Sequence, residues 1–491
     1  MLLLDRSGTT APRASERRVT ALVLGAALLV MLGARLLYLH VPLGIDEGGV
    51  AWIAKAWGTG GHGSIYGAYW LDRPPLLVAL YKLAVYGGDV GVRLLGALAA
   101  AGLVTLTTLV ARAVAGDRAA RLAAVLSAAM AGSVALAAVY TPAELLASVP
   151  ACGSILCLLA AGRRGQLRWF AAAGFLAVTA VLVKQSFLDA GFAGAVFLAW
   201  TIARGWRGGL RSAGAYAAGA LVSIAAVGVW LAVAHVAPGT LVYALFGFRV
   251  HALQVLSASQ APLHVRLHTL LAPGALSGMF VVLLIAPAGL RALARRDRAT
   301  AVTFGAWLAA GCFGVLAGGS YWPHYLIQLV APACVLTGAA LARVRPLRGK
   351  AVAGALATLA IVGSVVAEPS KATIQQRGGV LSAANYLRAH ARPGDTQYVL
   401  YARANVDYYA GLPSPFPFAW SLIIRAYPGA TTRLLHLLDS PQRPTWIVGW
   451  QGPGWWGLDP HHAIAHALKR QYRLAARVDG HPIYHRRSPS P

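Results

Sequence analysis

Apolar residues in this chain come in long unbroken runs separated by short polar gaps. A run of roughly 18 or more apolar residues is long enough, as a helix, to cross a hydrocarbon layer about 30 Å thick. Such runs recur from Val19 almost to Glu368. The pattern predicts about eleven spans, at 19–40, 91–111, 121–140, 144–161, 169–183, 186–203, 212–236, 269–290, 299–317, 322–342 and 351–367. One stretch, "RPPLLVALYKLAVYGG" (73–88), holds an apolar run too short for a crossing and is read as a helix lying in or dipping into the membrane surface, with Pro74 at its first turn. The first run is too long for a signal-peptide core and has no clear small-residue cleavage site, so it is read as a retained span.

After Glu368 the period changes. "TQYVLYA" (396–402), "PTWIVGW" (444–450) and "HPIYHRR" (481–487) read as strands, and "LSAANYLRAHA" (381–391) has helical spacing. The expected class is therefore a polytopic α-helical membrane protein carrying a C-terminal mixed α/β domain. Its divisions are an N-terminal segment 1–18, a membrane domain 19–367 with a long loop at 41–90, and a terminal domain 368–491.

Composition agrees with this pattern. Of 491 residues, 57% are hydrophobic and 12% charged, against about a quarter charged in ordinary soluble proteins. A net charge of +27 raises the question of nucleic acid. The charges, however, sit in the gaps between spans, as in Arg13, Arg17 and Arg18, or Arg163, Arg164 and Arg168, or Arg291, Arg295, Arg296 and Arg298. That is the signature of cytoplasmic loops, so the charge reports topology rather than a nucleic-acid partner. With residues 1–18 inside, the basic gaps fall on the cytoplasmic side, and 41–90 and 368–491 fall outside. Cys152, Cys157, Cys312 and Cys334 lie within spans without metal-ligand spacing and read as small buried hydrophobes. Abundant arginine, alanine and glycine match a GC-rich bacterial genome, hence a bacterial plasma membrane.

Acidic residues are scarce outside the tail, which makes their positions informative. Asp46 and Glu47 are adjacent where the first span ends, ahead of an apolar helical pattern. Acids there cap a helix, and a carboxylate at the edge of water and lipid is also suited to act as a general base. Both readings stand at this level. Glu144 opens another apolar run after "YTPA" and invites the same pair of readings. Lys184 stands alone among some twenty apolar residues, placed to pair with Glu144 or to meet a lipid phosphate. Arg73, Arg249 and Arg266 offer guanidinium forks for phosphate, near His251, His264 and His268. "GGSYWPHYLIQLVAP" (318–332) places His324 and Tyr325 in an aromatic cluster at a span end. The histidines lack metal-ligand spacing, and no glycine-rich phosphate loop occurs. A reaction outside the cell then has to draw its activated donor from a lipid.

The ordered series "GIDEGGVAWIAKAW", "DRPPLL", "AVYTPAELLASVP", "VLVKQS" and "YWPHYLIQLVAPACVLTGAAL" resembles the GT-C glycosyltransferases, most of all the branch of protein O-mannosyltransferases and lipid A aminoarabinose transferases. The resemblance covers 19–367 and, more loosely, the terminal domain. It implies Asp46 as the base with Glu47 beside it and Arg73 on the donor phosphate, arginine standing for the more usual lysine. It also implies Glu144 as the second-loop acid, one methylene longer than the common Asp. Lys184 matches a lysine near the lipid-phosphate pocket, and His324 and Tyr325 match a late Pro-His-Tyr cluster; Arg249 joins the phosphate group as a further cation. The implied partners are a polyprenyl-phosphate-linked sugar donor, membrane lipids, and an envelope glycan, lipid or protein acceptor. The implied reaction is an inverting single displacement. No cofactor is required by this reading, and a divalent metal beside the acids is left open. Two other classes compete: a transporter or flippase using Glu144 and Lys184, and a non-catalytic scaffold binding wall polymer through Trp420, Trp450, Trp455 and Trp456.

Overall fold

The computed structural model describes residues 14–58, 64–258, 263–367 and 371–487, with the side chains of 371–377 left out. The first thirteen residues of the N-terminal segment, including Arg13, and Glu368 at the domain boundary lie outside the described residues. The chain forms two compact units. One comprises Met1–His40, Arg93–Trp230 and Ala261–Glu368; the other comprises Val41–Val92, Leu231–Gln260 and Pro369–Pro491.

The protein is a multi-pass membrane protein. Among the described residues, eight helices are long and apolar enough to cross a membrane, or nine when the bent pair Leu263–Leu276 and Met279–Ala294 counts as one span. The sequence pattern predicts about eleven. Part of the difference lies in Leu167–Val183 and Asp189–Ala203, which are shorter apolar helices. The expected span 121–140 contributes too, because its helix, Asp117–Ala131, stops within the apolar run. Gly132 and Ser133 are weak helix formers, and the chain from there to Pro142 is not helical. The buried guanidinium of Arg35, in the first helix Ala14–Leu36, supplies donors for this segment. It donates to the carbonyls of Ala131 (3.2 Å), Ala138 and Tyr140 (2.8 Å). Backbone groups away from water have to be paired internally, and one arginine does for the broken stretch what helical bonds do elsewhere. Conversely, Pro238–Ser257, which lies between two of the expected spans, is long and apolar enough to cross a membrane.

Close helix packing in the first unit depends on small residues. A Cβ on Gly174 would collide with the carbonyl oxygen of Tyr216, and one on Gly219 with that of Ala171. Helices Leu167–Val183 and Gly209–Val233 therefore meet backbone to backbone, as membrane helices do when small residues line the contact.

The second unit holds the mixed sheet. Strands β1 (Gln397–Val399), β2 (Trp446–Val448), β3 (Tyr472–Val478) and β4 (His481–Arg486) lie in the order β1-β2-β4-β3. β1 and β2 are parallel, and the other pairings antiparallel. Three of the four fall within the runs read as strands. β3 has no such run: it is a largely exposed edge strand whose Arg473 and Arg477 interrupt any apolar alternation, a common way of blunting an edge. Helix Lys371–His390 covers the sheet through Val380, Ala384 and Leu387, which pack with Val399, Val448 and Ile483.

Helix Ile45–Ala56 belongs to this unit and lies against Ala404–Ala410. That helix buries Asp407, whose Oδ1 accepts from Gln397 Nε2 at 3.2 Å. Burial holds its carboxyl well above the usual carboxylate range. A carboxyl protonated in the fold and ionised in the unfolded chain makes the fold less stable as pH rises above about 4. Asp407→Asn keeps the acceptor and removes the titration. We expect the apparent melting temperature of the wild type in detergent to fall between pH 5 and pH 8 relative to this variant. At pH 8 the variant melts about 2–4 °C higher; parallel curves for the two proteins would contradict the assignment.

Candidate active site

In the second unit the acidic pair divides its labour. Helix Ile45–Ala56 begins after Gly44, which has no side chain to cap it. The Glu47 carboxylate turns back instead, and Oε2 accepts from the Gly44 N–H at 3.0 Å. Glu47 is 6% exposed. Asp46 points the other way and is exposed, with Oδ1 accepting from the Trp420 indole N–H at 3.1 Å. The two neighbours thus differ: Glu47 bonds the helix start and Asp46 accepts from Trp420.

The turn before the helix is pinned by Asn405 and Tyr409. Asn405 Nδ2 donates to the Leu43 carbonyl at 3.0 Å. The Leu43 N–H donates to Tyr409 Oη at 2.6 Å, and that hydroxyl donates to Asp89 Oδ2 at 2.6 Å. Burial, reinforced by Asp89, pushes the Tyr409 hydroxyl above its usual range, so it remains a donor.

Beyond the turn, Asp72 sits between two arginines. Its Oδ1 meets Arg73 Nη1 at 2.6 Å and its Oδ2 meets Arg249 Nη2 at 2.7 Å. Asp72 is 8% exposed. Two guanidiniums on one carboxylate leave a net positive cluster, suited to an anion. Tyr66, in the left-handed region at φ 66°, donates its hydroxyl to the Arg73 carbonyl at 2.6 Å. Arg249 follows a π-turn, Tyr243–Gly247, in the helix from Pro238 to Ser257; such turns re-aim side chains and are frequent at functional sites. Rings hold that helix in place: Trp70 packs edge-on against Phe248 (5.0 Å) and Tyr427 (5.1 Å).

The first unit carries a separate charged group. Glu144 begins helix Ala143–Arg164 and Lys184 ends helix Leu167–Val183. They are 2% and 6% exposed and form an ion pair. His324 Nε2 lies 3.7 Å from the same Glu144 oxygen. His324 and Tyr325 come from the short 3₁₀ helix Pro323–Leu329, and Lys184 Nζ stands 4.8 Å over the Tyr325 ring. The loop bearing Lys184 is tied to that helix by Gln328 Nε2, which donates to the Ser186 carbonyl at 3.1 Å. Arg266, by contrast, donates to the Gly319 carbonyl at 3.2 Å, and Thr269 donates to the Tyr321 carbonyl at 2.9 Å, so this part of the chain steadies a loop. Among the described residues, no group of three or more His, Cys, Asp or Glu side chains is arranged to hold a metal ion.

Residues 72–232 match the family described as dolichyl-phosphate-mannose-protein mannosyltransferase, a segment that contains Arg73, Glu144 and Lys184. Among solved structures, the chain is similar to ArnT from Cupriavidus metallidurans bound to undecaprenyl phosphate. The TM-score is 0.67 at 19% identity, over 94% of this chain and 97% of that one. The fold is a GT-C fold. A second GT-C relative in structure is the Archaeoglobus fulgidus oligosaccharyltransferase in its apo form, with a TM-score of 0.59 at 14% identity over 92% of this chain and 73% of that one. Another is the oligosaccharyltransferase AglB from the same organism, in complex with an inhibitory peptide and a dolichol-phosphate. Here the TM-score is 0.55 at 12% identity, over 97% of this chain and 75% of that one. No curated protein sequence matches the chain.

Within this GT-C fold, sequence reasoning passes over the role of Asp72 and the contacts of Asn405, Tyr409 and Trp420. The last three lie 320 to 374 positions from their partners in the first loop, beyond any local pattern. For the Glu144–Lys184 pair, a direct stability test exists. Lys184→Met strands a buried carboxylate and is expected to cost about 3–5 kcal/mol. Adding Glu144→Gln removes the stranded charge and should restore much of the loss, read as apparent melting temperature in detergent. A double variant no more stable than Lys184→Met would rule out a direct pair.

Proposed function

We propose that this protein is a membrane glycosyltransferase that moves a sugar from a polyprenyl-phosphate carrier to an acceptor outside the cell. The observation that carries this reading is the division of the acidic pair, with Glu47 committed to the helix start and Asp46 exposed, in a chain of GT-C fold. It is supported by the match of residues 72–232 to a family named for dolichyl-phosphate-mannose. It is supported too by proteins of like fold bound to undecaprenyl phosphate and to a dolichol-phosphate.

In the proposed reaction Asp46 takes the proton from an acceptor hydroxyl or amine. The acceptor atom bonds to the anomeric carbon as the bond from that carbon to the phosphate oxygen breaks. The anomeric centre inverts, and polyprenyl phosphate departs with one more negative charge. Arg73 and Arg249, linked through Asp72, oppose that charge as it develops; fixed cations aimed at developing charge often supply most of the rate enhancement in such reactions. To Lys184, His324 and Tyr325 we assign a cationic, aromatic edge for the phosphate of a lipid, with Glu144 holding the lysine. The acceptor is an envelope glycan, lipid or protein. The N-terminus is cytoplasmic, and the segment 368–491 lies outside a bacterial plasma membrane.

The test is transfer of radiolabelled sugar from polyprenyl-phosphate hexose in membranes of the expressing strain. Asp46→Asn is expected to lower the rate about 10²–10⁴-fold. Arg249→Ala is expected to raise the apparent KM for the lipid donor about tenfold or more. Full transfer by Asp46→Asn would refute the assigned base, and an unchanged donor KM in Arg249→Ala would refute the phosphate role.

A further inference from the structure

The indole of Trp420 has no part in the reaction as described, yet it donates to the carboxylate proposed to act as base. An indole N–H is a donor only, so it cannot relay the proton that Asp46 receives. Its effect is geometric: it engages Oδ1 at 3.1 Å and leaves Oδ2 as the proton acceptor. We propose that Trp420 is a positioning residue for Asp46, and that the C-terminal segment therefore completes the catalytic loop. This inference rests on the reading of Asp46 as the base.

Three further observations point the same way. First, two consecutive glycines follow the acidic pair, and neither position has room for a side chain. A Cβ on Gly49 would collide with the Trp420 ring, and one on Gly48 with Asn405. A helix that gives up two residues of good propensity gains contact between its first turn and the indole. Second, the segment carrying Trp420 is anchored by main chain. The Trp70 N–H donates to the Pro417 carbonyl at 3.0 Å, with Trp70 and Phe418 in a parallel bridge. Trp420 itself stands at the start of helix Ser421–Ala426, its carbonyl accepting from the Ile424 N–H at 3.1 Å. Third, Trp70 is two residues from Asp72 and three from Arg73. The strip from Pro417 to Trp420 thus touches both the loop of the arginines and the carboxylate of the base. It sets their spacing, and a displacement of about 1 Å between such groups is costly in rate.

The test uses the full chain in native membranes with radiolabelled polyprenyl-phosphate hexose as probe. Trp420→Phe keeps an aromatic side chain and loses the donor. It is expected to lower kcat about tenfold while the donor KM stays within about twofold. Gly49→Ala favours the helix but displaces the indole, and is expected to lower kcat similarly. Because both changes break one contact, the double variant is expected to fall little below either single one. Unchanged kcat in Trp420→Phe overturns the proposal, as do multiplicative losses in the double variant or a donor KM that rises in step with any loss. The Asp46→Asn arm separates the two levels: if that variant keeps full activity, the base assignment fails. If Asp46→Asn is inactive and Trp420→Phe is normal, the base stands and the positioning role falls.

Discussion

A carboxylate withdrawn from bulk water needs a partner, and much of this structure follows from that requirement. An unpaired buried charge costs several kcal/mol, more than most local preferences can offset. Glu144 has Lys184 and, at longer range, His324. Asp72 has Arg73 and Arg249. Glu47 has the N–H of Gly44, and Asp189, buried at the head of its helix, accepts from the Trp307 indole at 3.1 Å. Glu144 with Lys184, Asp72 with Arg249 and Asp189 with Trp307 each fix two distant parts of the chain to one another, so these acids act as joints within their units. Asp46 departs from the pattern by being exposed while still hydrogen-bonded.

The sequence made legible what depends on local period and on composition. Long apolar runs gave the helices of the membrane, and change of period after Glu368 gave three strands of the sheet. Asp46, Glu47 and Glu144 stood out because so few other acids surround them. What stayed hidden depends on distant pairs. The helix from Asp117 ends at Ala131 because Gly132 weakens it and because Arg35, some hundred residues earlier, can satisfy the freed carbonyls. Hydropathy registers neither cause, since the run remains apolar throughout. β3 escaped notice because an edge strand with charged residues shows no alternation. Asp72 was visible as an acid, but its bond to Arg249 crosses an interval that no motif spans.

Chain order is also a poor guide to how the units are composed. Composition divides the chain near Glu368, whereas contacts group the loop 41–92 and the segment 231–260 with the tail. The reason lies in a few well-placed bonds: Leu43 to Asn405 and Tyr409, Trp70 to Pro417, and the packing of Gly48 and Gly49. These are the contacts of a core rather than of two domains touching, and they bring the tail into the architecture of the first loop.

The hydrogen bond between Trp420 and Asp46 joins residues 374 positions apart. At ribosomal speeds of 5–20 residues per second, about 20–75 s separate the emergence of one from that of the other. For that interval the nascent chain carries Asp46 without the indole from which it accepts. The surroundings of Asp46 are thereby completed only after some 420 residues have been made.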